Sequence, residues 1–230
     1  SHELRTPLTV IKGYIETLQS LMLESDSRLQ DSLGSMNVQA ARMENLISDL
    51  LWLSRIESVE GERKDDQLDL VDLLAHLCDE LKAAWPDREI ELVTSSSLCV
   101  LGNAAELRSA ISNLIVNALK YSEAPISVKW SDTVVGPELL VEDQGPGIDA
   151  KHIPRLTERF YRVDKSRSQA TGGTGLGLAI VKHVAVSHDA KLFIDSELGQ
   201  GSTFRLVFPN DRAVSCDVCS TENRRADSGQ

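Results

Sequence analysis

Gly172-Gly173-Thr174-Gly175-Leu176-Gly177-Leu178-Ala179-Ile180 is the stretch on which the fold turns. Four glycines run straight into a helical pattern that continues from Leu176 to Ser187. Free backbone N–H groups at such a helix start, together with the helix dipole, favour a phosphate. Two nucleotide folds offer this kind of loop, and neither context is present. A Rossmann loop follows a buried strand inside a βαβ unit, whereas these glycines follow the polar segment Arg162 to Thr171. A Walker A loop continues into Lys-Ser or Lys-Thr, and none follows here. Taken alone, the stretch is equally a mobile loop with a helix cap at Thr174.

Its surroundings decide the matter. Helical patterns cover Val71 to Ala84, stopped by Pro86, then Ala104 to Tyr121, a short piece at Lys151 to Leu156, and Leu176 to Ser187. Strand patterns cover Glu89 to Thr94, Leu98 to Leu101, Ile126 to Trp130, Glu138 to Glu142, Lys191 to Ser196 and Thr203 to Phe208. Antiparallel strands with interspersed helices predict an α+β sandwich rather than a doubly wound parallel sheet.

Ahead of this region lie two long helical patterns. Leu4, Leu8, Ile11, Ile15, Leu18 and Met22 recur at three- and four-residue steps. Leu33, Met36, Ala40, Met43, Ile47 and Leu50 make a heptad seam. Joined through Glu24-Ser25-Asp26-Ser27, they form an α-helical hairpin that buries one face only. A dimeric four-helix bundle completes it. The domain plan is therefore a hairpin over residues 1–58, a polar linker over 59–67, an α+β domain over 68–209 and a disordered tail over 210–230.

Composition sets limits. The chain has 230 residues, 24 Lys and Arg against 35 Asp and Glu, and a net charge of −11. Such an acidic chain is a poor general binder of nucleic acid or of an anionic membrane. No stretch approaches the ~18 apolar residues of a membrane span, and no signal peptide opens it. The chain begins at Ser1, already inside a helical pattern, and reads as a fragment or processed product. Cys78 and Cys99 read as small buried thiols. Cys216-x-x-Cys219 has no second ligand pair, which argues against zinc. No disulfide framework is expected, in keeping with a reducing compartment.

Three further motifs carry chemistry. Asp143-Gln144-Gly145-Pro146-Gly147 ends a strand in a carboxylate and a glycine turn, where a flat ligand can reach the backbone and an amine can meet the acid. Asn113 and Asn117 share one helix face; an amide oxygen there suits Mg²⁺, and Lys120 suits phosphate. His2-Glu3-Leu4-Arg5-Thr6-Pro7 pairs a nucleophilic imidazole with a carboxylate able to hold or take its proton. Each has a plainer reading: a hairpin turn, an amphipathic helix, an exposed terminal histidine.

Their joint order is what the plain readings leave unexplained. Ser1 to Leu8 resembles the H box of bacterial sensor histidine kinases, and Asn113 to Tyr121 the N box. Asp143 to Gly147 resembles the first glycine box, Arg159-Phe160-Tyr161-Arg162 the F box, and Gly173 to Leu178 the second glycine box. The resemblance spans roughly residues 1 to 208. LTERFYRVDKSRS and GLGLAIVKH look like the phosphate-regulon branch of that family.

The resemblance implies an ATP-binding sandwich of the histidine kinase, Hsp90 and gyrase B type. Asp143 would accept from the adenine amine, with Gly145 and Gly147 lining the base pocket. Asn117 would hold Mg²⁺, with Asn113, Lys120 and Tyr121 around phosphates and sugar. Gly173, Thr174, Gly175, Leu176 and Gly177 would close as a lid, and Arg162 and Lys165 would reach the charged tail of ATP. His2 would take the phosphoryl group, with Glu3 as base or orienter. The group would pass to a PhoB-like response regulator receiver domain, and Thr6 could orient water for its removal. The implied parent is an inner-membrane protein, this chain being its cytoplasmic portion and a homodimer.

His2 stands nearly at the start, whereas the family's first helix begins about two to four turns earlier. A helix turn without upstream hydrogen bonds frays, so good ATP binding with poor autophosphorylation is expected of this chain. Two rivals are a water-activating ATPase and a nucleotide-binding dimerisation module without kinase activity. Such an ATPase needs a catalytic Glu on the Asn helix, where Glu106 lies far upstream, and it leaves His2 unexplained.

Overall fold

The structure, a computed structural model, describes residues 9, 11–18, 27–58, 65–163 and 173–216. They fall into two compact units, residues 1–60 with 158–177, and residues 61–157 with 178–230.

In the first unit, helix α1 (residues 11–18) and helix α2 (Ser27–Ser58) form the hairpin. Ile15, Leu33, Ala40 and Leu53 are buried, and Lys12 pairs with Glu44 at 3.8 Å. Half of the expected seam stays outside. Met36, Met43 and Leu50 are exposed, as are Ile11, Tyr14 and Leu18. Together the two helices leave an apolar groove lined by Ile11, Tyr14, Leu18, Met36 and Met43. A two-helix unit has only one internal face, so alternate seam positions point away from it.

The second unit is the sandwich. Strand β1 (Asp66–Asp69) leads into helix α3 (Leu70–Ala84), whose N-cap Asp69 accepts from Val71 N–H at 2.9 Å. The helix stops before Pro86, which cannot donate to the helical ladder. Strands β2 (Ile90–Thr94) and β3 (Leu98–Gly102) follow, then helix α4 (Ala104–Tyr121), capped by Asn103. The hairpin β4 (Ile126–Thr133) and β5 (Gly136–Asp143), helix α5 (Gly177–Ser187), hairpin β6 (Lys191–Glu197) and β7 (Gly201–Val207), and strand β8 (Ala213–Ser215) complete it.

The large sheet runs β2-β4-β5-β7-β6, and a small antiparallel sheet runs β1-β3-β8. β2 and β4 pair in parallel, so the large sheet is mixed rather than wholly antiparallel. The core lies between the inward row of the sheet and the apolar faces of the helices. Trp130, Val128, Leu139, Val141, Phe204 and Leu206 are fully buried; so are Leu107, Ile111, Leu114 and Ala118 of α4. Trp130 meets Phe208 edge to face at 6.0 Å.

His188 fixes the start of α4. Its Nε2 accepts from Asn103 N–H at 3.0 Å, so the ring proton sits on Nδ1, 2.8 Å from the Val184 carbonyl. It is a core histidine.

Three expectations need correction. Residues 66 and 67 of the expected linker already pair in β1 with Gly102 and Leu101. Residues 210–216 of the expected disordered tail are ordered: β8 pairs with β3, and Arg212 bonds both Asp65 and Asp189. Cys99 and Cys216 form a disulfide with Cα atoms 5.1 Å apart, leaving Cys78 as the buried free thiol among the described residues. The cause is non-local in each case. A short edge strand is specified by its partner, and β8 pairs with β3 across 113 to 117 positions of chain, in register Cys99 to Val214.

Candidate functional site

The second unit gathers one cluster of the expected residues at the C-terminal ends of α4 and β5. Asp143 ends β5 with its side chain buried, only 5% exposed. Its Oδ1 accepts from Gly145 N–H at 2.8 Å, which bends the chain into the glycine turn. Burial pushes this carboxyl above its ordinary range, against the backbone N–H groups of Gly145 and Ser202 that pull it down. A buried acid in a protein-made turn is poised to accept from a ligand's N–H.

The turn tolerates no side chain. A Cβ on Gly145 would lie 2.5 Å from the Tyr121 carbonyl at the end of α4. Gly147 has φ +67°, and a Cβ there would lie 1.9 Å from the Glu197 carbonyl. The glycine box and the end of the N-box helix are therefore in backbone contact. Asn117 is half-buried on α4, presenting a hard amide oxygen of the kind that suits Mg²⁺. Asn113, one turn earlier, folds its Nδ2 back onto the Ser109 carbonyl at 2.9 Å. Lys120 is half-buried and Tyr121 is 44% exposed in the last turn of α4.

The first unit gathers a second cluster. Phe160 N–H donates to the Gly175 carbonyl at 2.9 Å. This ties the F box to the second glycine box. Arg162 Nη2 lies near Gly173. Thr174 Oγ1 accepts from Leu176 N–H at 3.2 Å and donates to Asp49 Oδ2 on α2 at 2.8 Å. Leu176 is buried, and α5 begins at Gly177. Residues 158–163 and 173–177 cluster with the hairpin. His2, Glu3, Thr6 and Lys165 lie outside the described residues.

Sequence reasoning missed the residues beneath the glycine turn. Ile148 N–H donates to Ser196 Oγ at 2.8 Å, and Gly199 N–H to the Pro146 carbonyl at 2.8 Å. Gly199-Gln200-Gly201 read only as a turn; a serine three residues before it was the available signal.

Comparison with known proteins gives this geometry a family. Residues 102–212 match the histidine kinase-, DNA gyrase B- and HSP90-like ATPase family, and residues 1–59 match the His Kinase A phospho-acceptor domain. The chain belongs to the sensor histidine kinases. The phosphate regulon sensor protein PhoR of Pseudomonas aeruginosa is 49% identical over 90% of this chain and 48% of its own length. PhoR of Haemophilus influenzae is 40% identical over 94% of this chain and 51% of its own. This histidine kinase chain therefore spans about half the length of these relatives. Full-length ShkA, solved in complex with AMPPNP, superposes with a TM-score of 0.72 at 26% identity, covering 94% of this chain and 45% of that one. Among the described residues, no helix is long and apolar enough to cross a membrane.

Proposed function

We propose that this chain is the catalytic half of a sensor histidine kinase that phosphorylates itself on His2 and passes the phosphoryl group to a response regulator. The observation that carries the reading is the buried Asp143, held by Gly145 N–H at the foot of the α4 helix, in a chain that also matches a phospho-acceptor domain. The adenine amine donates to Asp143, and the base lies over the turn at Gly145 and Gly147. Asn117, with Asn113, Lys120 and Tyr121, faces the sugar and phosphates; Asn117 would hold Mg²⁺, which would neutralise phosphate charge. Arg162, Lys165 and the loop Gly173 to Gly177 contact the triphosphate.

In the transfer, a ring nitrogen of His2 attacks the γ-phosphorus. The N–P bond forms as the bond to the β–γ bridging oxygen breaks, and ADP leaves. Glu3 takes the imidazole proton. The phosphoryl group then moves from His2 to an aspartate carboxylate of a PhoB-like receiver domain, and Thr6 orients water for its later removal. The exposed Met36, Met43 and Leu50 stripe supports a homodimer closing a four-helix bundle. Identity to the two PhoR proteins supports a role in phosphate signalling; the family resemblance extends this to a parent anchored at the inner membrane, with this portion in the cytoplasm.

The test is incubation with γ-labelled ATP and Mg²⁺, for wild type and His2→Ala. The expected label is acid-labile, base-stable and absent from His2→Ala. Label that survives in His2→Ala would place the phosphoacceptor at another residue, and turnover without label would instead favour an ATPase.

A further inference from the structure

The hydroxyl of Ser196, on β6, stands at a junction of three chain segments. It lies 2.8 Å from Ile148 N, 2.7 Å from the Gly201 carbonyl and 3.0 Å from Ser202 Oγ. A serine hydroxyl has one proton and two lone pairs. The amide must donate, so Ile148 takes one lone pair. The carbonyl can only accept, so the proton goes to Gly201. The remaining lone pair faces Ser202, whose hydroxyl is therefore the donor. Every hydrogen-bonding capacity of Ser196 is spent, and each bond has a fixed direction.

The three partners bracket the base pocket. Ile148 ends the Gly145–Gly147 turn. Gly201 and Ser202 start β7 beside Asp143, with Ser202 in register with Asp143, and the Ser202 backbone N–H reaches the Asp143 carboxylate. The loop has one other hydrogen bond to this hairpin, Gly199 N–H to the Pro146 carbonyl, and it is backbone to backbone. That bond survives a change of side chain at 196, so the fold persists while the turn loosens.

We propose that Ser196 is a positioning residue for base recognition, acting through Ile148 and Ser202 to hold the glycine turn and Asp143 in the spacing that selects adenine. The inference rests on the reading of Asp143 as the acceptor for the adenine amine. Inosine triphosphate is the discriminating probe. It carries a carbonyl where ATP carries the amine, and a carboxylate repels it.

The experiment measures ATP and ITP affinity by calorimetry on the full chain, for wild type, Ser196→Ala and Ser196→Thr, with the thermal midpoint of each. Loosening one neutral hydrogen bond in the pocket is expected to cut the ATP-over-ITP preference about tenfold in Ser196→Ala. Ser196→Thr keeps the hydroxyl and is expected to restore it. Ser196→Cys keeps the volume with a weak donor and acceptor; it gives the same readout should Ser196→Ala not fold. A merely structural role would weaken ATP and ITP together, in step with the thermal midpoint, and would overturn the inference. So would an Ile148 amide in the wild type that exchanges as fast as an open loop. A wild type indifferent to the base would overturn the Asp143 reading itself, whereas a discriminating wild type with a discriminating Ser196→Ala overturns the Ser196 inference alone.

Discussion

Asp143→Asn separates binding from stability. The side chain is nearly the same size, so packing beside Tyr121 and β7 is kept. One oxygen remains to accept from Gly145 N–H, which lies 2.8 Å from Asp143 Oδ1. What is lost is the charged acceptor that the proposed function assigns to the adenine amine. Hydrogen bonds to charged groups contribute about 1.5–3 kcal/mol, so ATP affinity should fall roughly tenfold to 150-fold. Stability moves differently. Burial raises the Asp143 carboxyl above the usual 3.8. Its folded-state pKa therefore exceeds its unfolded one. Between the two values the folded chain keeps a proton that the unfolded chain has released. The stabilisation from that proton is full below the unfolded pKa and is lost as pH rises through the folded one. Asparagine has no such loss, so the variant should gain stability relative to wild type as pH rises through this window. Wild-type ATP affinity should fall as pH drops through the same raised pKa, and that component should be missing from the variant. Calorimetric titration with ATP and melting curves across the acid range read both effects. ATP affinity unchanged in the variant, or relative stability moving the opposite way with pH, would refute the reasoning.

Other perturbations reach other parts of the fold. Gly147→Ala must hold alanine at φ +67°, at a cost of roughly 1–2 kcal/mol, and must displace the Glu197 carbonyl 1.9 Å away; ATP affinity measured by calorimetry should drop more than for Gly199→Ala, where nothing lies within 4 Å. Reducing the Cys99–Cys216 bond opens a loop with a sequence separation of 117; the melting transition of the sandwich should lose about 2–4 kcal/mol, with Cys216→Ser insensitive to reductant. Met36→Glu with Met43→Glu places charge on the exposed hairpin stripe and should convert a dimer to a monomer in sedimentation, leaving ATP affinity unchanged. Trp130→Ala empties a fully buried site against Phe208 and should cost about 3–5 kcal/mol in denaturant unfolding.

The elements that were legible are those whose signal is local. α4 carries its own cap at Asn103, a period of 3.6 and a proline, Pro125, soon after Tyr121, and its bounds match the pattern residue for residue. β4 and β5 alternate cleanly because one face is buried and one is wet. β1 and β8 were not legible. Asp66-Gln67-Leu68-Asp69 has no strand composition, and its pairing energy comes from β3, some thirty residues on. The parallel pairing of β2 with β4 was equally hidden, since parallel and antiparallel strands share one alternation.

The candidate site divides along the same line. Asp143, Gly145 and Gly147 stand within five residues, so a motif can hold them. Their support does not lie within any motif. Ser196 and Ser202 reach Asp143 and Ile148 only because β5 and β7 pair with Asp143 opposite Ser202, while β6 and β7 pair with Ser196 opposite Ser202. A shift of one residue in either register would turn the Ser202 side chain to the other face of the sheet. That register is fixed by Val141, Phe204 and Leu206 packing inward. The candidate site is therefore specified twice: once locally, by a carboxylate and two glycines that allow close approach, and once by an apolar core that decides which serines stand beneath them. Only the first specification is written where a reader of the sequence would look for it.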